Sequence, residues 1–220
     1  VFDTHLIAGY PGRNYAPERV GQLYELSCFI RSYAKDQPYL LLGDLNLNPK
    51  SEEYLILVAL LGLRDACPDC SATGQNGRID HIFLSPAMAG WTVVRAGVAM
   101  TGTLDAQGRI PLSDHKALTA VLRSPARGQG RFRLASLRPG QGRIWETGMN
   151  RRRALLGVVT GLDRFISRTA HSIHLNIAIP FYGWSHARWG LRQIAAAKRI
   201  QSQALNELTE LTRPTGRRRP

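Results

Sequence analysis

The sequence predicts an α/β domain, a mixed sheet with helices packed on it, followed by a basic, mostly helical extension. Three observations lead there. Short apolar runs bounded by turn formers alternate with helix-length segments that carry caps. The last runs follow one another with no helix between them, as they do when part of a sheet is antiparallel. Finally, the charge divides at about Ser124: residues 1–124 hold 11 Lys/Arg against 12 Asp/Glu, net −1, whereas residues 125–220 hold 18 against 4, net +14.

The first strand spans Val1 to Ile7. After turn residues at Pro11-Gly12 and Asn14, Pro17 suits a first helical turn. Val20, Leu23, Ser27, Ile30 and Ala34 then recur at helical spacing, flanked by Leu26, Phe29 and Tyr33. Tyr39 to Leu42 is a core strand. Ser51 is a good N-cap, with Glu52 and Glu53 where negative charge suits the helix dipole. That helix runs to about Leu61, and Gly62 closes it. Asn76-Gly77 introduces the strand Ile79 to Leu84; Val93 to Met100 and Ala117 to Leu122 complete the set. Residues 1–123 are thus one domain, 124–150 a Gly/Arg/Pro-rich linker that reads as disordered, and 151–220 a basic, partly amphipathic tail.

Composition narrows the partners. The chain has 220 residues, 44% of them apolar, enough for a proper core. The cationic tail suits an anionic partner: nucleic acid, a phospholipid surface or an acidic protein. Thr169 to Ala187 lacks charged residues but is interrupted by His171, His174, Asn176, Pro180 and His186, so it is a poor spanning segment. Phe181, Tyr182, Trp184 and Trp189 fit an interfacial membrane segment, and a partner-docking or core helix fits equally. Leu191 to Leu211 reads as an amphipathic helix. Cys28, Cys67 and Cys70 make an odd count with no disulfide framework. The lone Cys67-Pro68-Asp69-Cys70 lacks the second ligand pair that zinc needs, so these are taken as incidental loop cysteines in a reducing setting. Val1 stands inside a strand without an initiator methionine or signal peptide, so the chain reads as a piece of something longer, cytoplasmic or peripheral to a membrane.

The chemistry is expected at strand ends. Leu40-Leu41-Leu42 runs into Gly43-Asp44-Leu45-Asn46, and in extended chain Asp44 and Asn46 would share one face. Thr4-His5-Leu6 ends the first strand, Arg78-Ile79-Asp80 opens a later one, and Ser113-Asp114-His115 stands just before the last. Each alone has a plain structural explanation: a core histidine, an ion-pair partner in the neighbourhood of Arg78, a cap.

Together, THL, GDLN, RID and SDH in this order resemble the endonuclease/exonuclease/phosphatase superfamily. The resemblance covers about residues 1–123, and THLIAGY, RVGQLYELSCFI and GDLNLNPKSEEYLIL look most like its neutral sphingomyelinase branch. It implies a partial deoxyribonuclease I-like β-sandwich and Mg²⁺-dependent hydrolysis of phosphate esters by in-line attack of water. By the same resemblance Asp44 would orient or deprotonate the water, Asn46 would hydrogen-bond the phosphate, and His115 would contact the phosphoryl group or act as acid/base. Asp80 would hold the His115 ring, His5 would bind phosphate or protonate the leaving group, and Asp44 and Asp114 would serve the metal. Magnesium takes one or two carboxylates with water and phosphate completing its shell, which two aspartates satisfy.

The resemblance also implies an upstream half that supplies an asparagine and the principal metal-binding glutamate. Glu18, Glu25, Glu52 and Glu53 belong to the two helices and do not replace it. Truncation is the favoured reading over a half that pairs with another chain or a degenerate relative, and the chain as written is expected to bind metal weakly and turn over slowly or not at all. The expected partners are therefore a phosphodiester substrate, phospholipid ahead of nucleic acid; an anionic membrane surface, through the tail; and the missing N-terminal half. A nuclease, or a non-catalytic remnant that docks on an anionic partner, is the alternative.

Overall fold

The computed structural model describes residues 1–10, 12, 14–49, 51–105, 107–125, 149–177 and 183–212, without the side chains of 171–177 and 183–189. A four-stranded sheet of order β1-β2-β4-β3 is built from β1 (Phe2–Asp3), β2 (Leu40–Asp44), β4 (Asp80–Leu84) and β3 (Arg64–Asp65). β1 lies parallel to β2, while β4 is antiparallel to both β2 and β3, so the sheet is mixed. A second sheet pairs β5 (Thr92–Ala99) with β6 (Ala117–Arg123). It meets the first through a cluster of Leu84, Met88, Ile82, Trp91, Val93 and Leu122.

Helices α1 (Ala16–Ala34) and α2 (Glu52–Leu61) cover the sheet. Ser51 accepts from the Tyr54 amide at the start of α2, and Gly62 ends it in the left-handed region at φ 64°, as its sequence demands. α2 is apolar nearly all round because it is covered twice. Tyr54, Leu57, Val58 and Leu61 pack toward the sheet core with Leu41 and Phe83. Ile56 and Leu60 instead join Val20 and Tyr24 of α1 in a second core.

That second core is closed by the tail. α3 (Arg151–Ile177) and α4 (Gly183–Thr212) contribute Leu155, Val158, Leu162, Ala197, Ile200 and Ala204 to it. Two glycines allow α3 to come close: a Cβ on Gly157 would stand 2.8 Å from Ile56 Cδ1, and one on Gly161 3.1 Å from Val20 Cγ1. Glu207 of α4 accepts from the Tyr24 hydroxyl and is bonded by the guanidinium groups of Arg31 and Arg151. The amphipathic faces foreseen in the tail therefore pack within the chain. The linker at residues 126–148 and the aromatic positions Phe181 and Tyr182 lie outside the described residues, as do the side chains of Trp184 and Trp189. Among the described residues, no helix is long and apolar enough to cross a membrane.

Three expectations are corrected. The strand at Val1 to Ile7 is regular only over Phe2–Asp3; beyond it single bonds, Thr4 N to Leu42 O and Leu6 N to Asp44 O, continue the association. The short strand β3 had no sequence signal. Cys67 and Cys70 are not unpaired: they form a disulfide, since the Cys70 amide donates to the Cys67 carbonyl in a tight turn with the Cα atoms 5.4 Å apart. The odd count reflects Cys28, which stays free.

Candidate active site

β2 and β4 end together, and their last register pair is Asp44 opposite Asp80. Gly43 makes this possible. Its φ is 127°, and a Cβ there would lie 2.0 Å from the Thr4 carbonyl oxygen, so only glycine lets the β1 segment pass this close. The Leu6 amide, donating to Asp44 O, then holds the segment bearing His5 against the strand end.

Asn46 reaches the site by a different route from the one its spacing suggests. It is not extended: its φ is 52°, a left-handed conformation that asparagine tolerates better than most residues. Its backbone amide donates to Asp44 Oδ1 at 2.9 Å and its side-chain amide to Leu6 O at 2.9 Å. The turn fixes the Asp44 carboxylate and sends Leu45 and Leu47 into the core.

The other oxygen of Asp44 faces two histidines, His5 Nε2 at 3.4 Å and His115 Nε2 at 3.8 Å. His115 Nδ1 lies 2.9 Å from Asp80 Oδ2, so the imidazole is held by one aspartate and faces the other. Partial burial disfavours the charged ring. The hydrogen bond and charge of Asp80, with the charges of Asp44 and Asp114, outweigh that effect and raise the His115 pKa above its ordinary value. Asp44, Asp80 and His115 offer ligand atoms all within 4.8 Å of one another, a group able to hold a metal ion. Two carboxylates suit a hard cation, which would take its remaining ligands from water and phosphate. Asp114 lies outside this group; exposed, it accepts from the Ser113 hydroxyl at 3.3 Å.

Sequence reasoning missed Thr73. It is buried, and its hydroxyl oxygen accepts from the amides of Ile79 and Asp80, each at 3.3 Å. Its carbonyl accepts from the Lys116 amide at 2.7 Å. One residue thus ties the segment bearing Asp80 to the segment bearing His115. Nothing marks it within a polar loop, because its role depends on two partners distant in sequence.

Beneath the site lies a buried polar network. Arg78 pairs with Asp65 at 2.8 Å rather than with Asp80. Arg78 Nη1 also lies 3.1 Å from His81 Nδ1, and His81 Nε2 lies 2.7 Å from Leu47 O. Arginine can only donate, so Nδ1 accepts and Nε2–H donates, making His81 a neutral structural ring stacked on Phe83. Burial acts to raise the Asp65 pKa, but the polar contacts of His81 and Arg78 and the Cys67 amide outweigh it and hold the carboxyl at about 2.

Comparison with known proteins is consistent with this geometry. The chain is similar to sphingomyelin phosphodiesterase 2 of Rattus norvegicus, 32% identical over 146 residues, covering 54% of this chain and 34% of that protein. It is similar to the Homo sapiens protein of the same name at 31% identity, with the same coverage. The chain spans about a third of the length of these curated relatives. Among solved structures, a mannosyl-6-phosphatase from Bacteroides thetaiotaomicron matches with TM-score 0.40 and 26% identity over 49% of this chain and 46% of that one. Humanized D. rerio TDP2 matches with TM-score 0.45 and 24% identity over 56% and 54%. Residues 11–115, which carry Asp44, Asn46, Asp80 and His115, match the model of one family. This region of the chain belongs to the Endonuclease/Exonuclease/phosphatase family.

Proposed function

We propose that this chain carries the catalytic strand ends of a divalent-metal phosphodiesterase acting on a phospholipid of the sphingomyelin type. The observation that carries the reading is the meeting of Asp44, Asp80 and His115 at the shared end of β2 and β4. Asp44 and Asp80 would hold the cation, for which Mg²⁺ is the natural candidate; bound there, it would neutralise charge on the phosphoryl oxygens. Asp44, fixed by the Asn46 amide, is placed to orient an attacking water. His115, kept cationic by Asp80, is placed to stabilise the phosphoryl group or protonate the departing oxygen. His5, with its ring largely exposed, can reach a phosphate from the opposite side. The second amide hydrogen of Asn46 remains for the substrate.

The relatives' names supply the substrate class. Exposed Arg152, Arg153, Arg192, Lys198 and Arg199 on α3 and α4 support adsorption to an anionic surface. The test is Mg²⁺-dependent release of phosphocholine from sphingomyelin in mixed micelles. We expect turnover to fall at least about a hundredfold in Asp44→Ala and in His115→Ala. Turnover equal in the native chain and both variants, or cleavage of DNA in preference to lipid, would overturn the proposal.

A further inference from the structure

The connection from β5 to β6 ends in Ser113-Asp114-His115, and it carries a concentration of exposed apolar residues. Met100 is 69% exposed, Leu104 69%, Ile110 53% and Leu112 49%. The turn is built rather than loose. The Leu104 amide donates to Ile110 O at 2.7 Å, and Thr103 bridges to Pro111. Asp105 accepts from the amides of Arg109 and Ile110 at 2.7 and 2.8 Å and pairs with Arg109 Nε at 3.0 Å. Gly108 closes the turn at φ 71°. A soluble surface seldom holds four large apolar side chains in a fixed protrusion without a use for them.

We propose that the Met100–Leu112 turn is an interfacial-recognition element, inserting Met100, Leu104, Ile110 and Leu112 into a zwitterionic phospholipid surface beside the Asp44–Asp80–His115 site. Charge decides the type of surface. The tip's two charged side chains, Asp105 and Arg109, neutralise each other, so it offers a polyanion no unpaired cation. Shape decides the phase. A protrusion needs a matching groove on a protein, whereas a fluid acyl boundary accepts it to a depth of roughly 5–10 Å. Position ties it to the site: Met100 and Leu112 share the walls of a cleft with Thr73, Gly74, Asp114 and Lys116. Insertion would leave His115 at the depth of the headgroups, where a phosphodiester lies.

The inference rests on the phosphodiesterase reading for the choice of headgroup, and its test does not need turnover. Flotation with vesicles of phosphatidylcholine and sphingomyelin is run with a chelator and at high salt, so that neither hydrolysis nor the basic helices contribute. The native chain should float with the vesicles. Leu104→Glu/Ile110→Glu should weaken partitioning by about tenfold or more. Leu104→Trp should strengthen it, and Leu205→Glu, at an exposed leucine on α4, should leave it unchanged. A native chain that does not float, a double variant that floats as well as native, or an equal loss in Leu205→Glu would each overturn the inference. If binding depends on the turn and no form hydrolyses micellar sphingomyelin, the insertion stands and the phosphodiesterase reading falls alone.

Discussion

Asp44 and Asp80 oppose each other across the last register pair of β2 and β4, two carboxylates where a sheet ordinarily avoids like charges. Without a cation this pairing costs stability. Asp44→Asn keeps an oxygen for the Asn46 amide and removes the repulsion, so it should raise the melting temperature in a chelator, by an amount equivalent to up to about 1 kcal/mol. Added Mg²⁺ or Mn²⁺ should stabilise the native chain and not this variant. Scanning calorimetry with and without cation checks both outcomes, and equal cation responses would contradict the carboxylate site.

His115 should titrate above the ordinary histidine range in metal-free protein, because the Asp80 contact outweighs partial burial. A raised folded pKa means that its stabilising contribution is fully present below the unfolded pKa and fades as pH rises through the folded one. Asp80→Asn should move the midpoint downward, and NMR of the imidazole protons would show it. A midpoint unchanged by that substitution would exclude Asp80 as the cause.

Asp65 has the opposite sign. Held at about 2 against an ordinary 3.8, it stabilises the fold above its unfolded pKa, and that contribution is lost as pH falls from about 4 toward about 2. The shift corresponds to roughly 2 kcal/mol, and Asp65→Asn should cost at least that, since Arg78 is left buried without its partner. Urea unfolding of both proteins between neutral and acid pH checks it: the native curve should converge toward the variant's.

Thr73→Val keeps the shape and removes the oxygen that receives two amides. The Ile79 and Asp80 amides should then exchange faster with solvent, and any hydrolysis should fall in kcat more than in KM. Thr73→Ser should restore both. If valine and serine behave alike, Thr73 only fills space.

Gly161→Leu would drive a side chain into Val20 and lift α3 from α1. We expect a loss of about 1–3 kcal/mol with helical content preserved, read by circular dichroism during thermal unfolding.

The central elements were legible because local signals and the fold agree. Ser51, the paired glutamates and Gly62 bracket α2 to the residue, and the leucines of β2 announce a core strand. The site was legible as a set of motifs, since Asp44, Asp80, His115 and His5 do meet. Its construction was less so: the Asp44–Asn46 contact runs through a left-handed turn, and Thr73 acts across distant segments. The docking of the tail had an unread signal. EEYLILVALL is apolar on too many sides for a helix covered on one face, and Gly157 and Gly161 repeat at the spacing of one helical face.

The contact between Gly43 and the Thr4 carbonyl has a consequence at the level of the gene. Every missense change of a single base in a glycine codon introduces a residue with a Cβ, and each would collide with the same oxygen. Drift at that codon is therefore confined to its third base. Among sequences descended from this one, a replacement there should appear only where the neighbouring segment has been lost or the site has ceased to be selected.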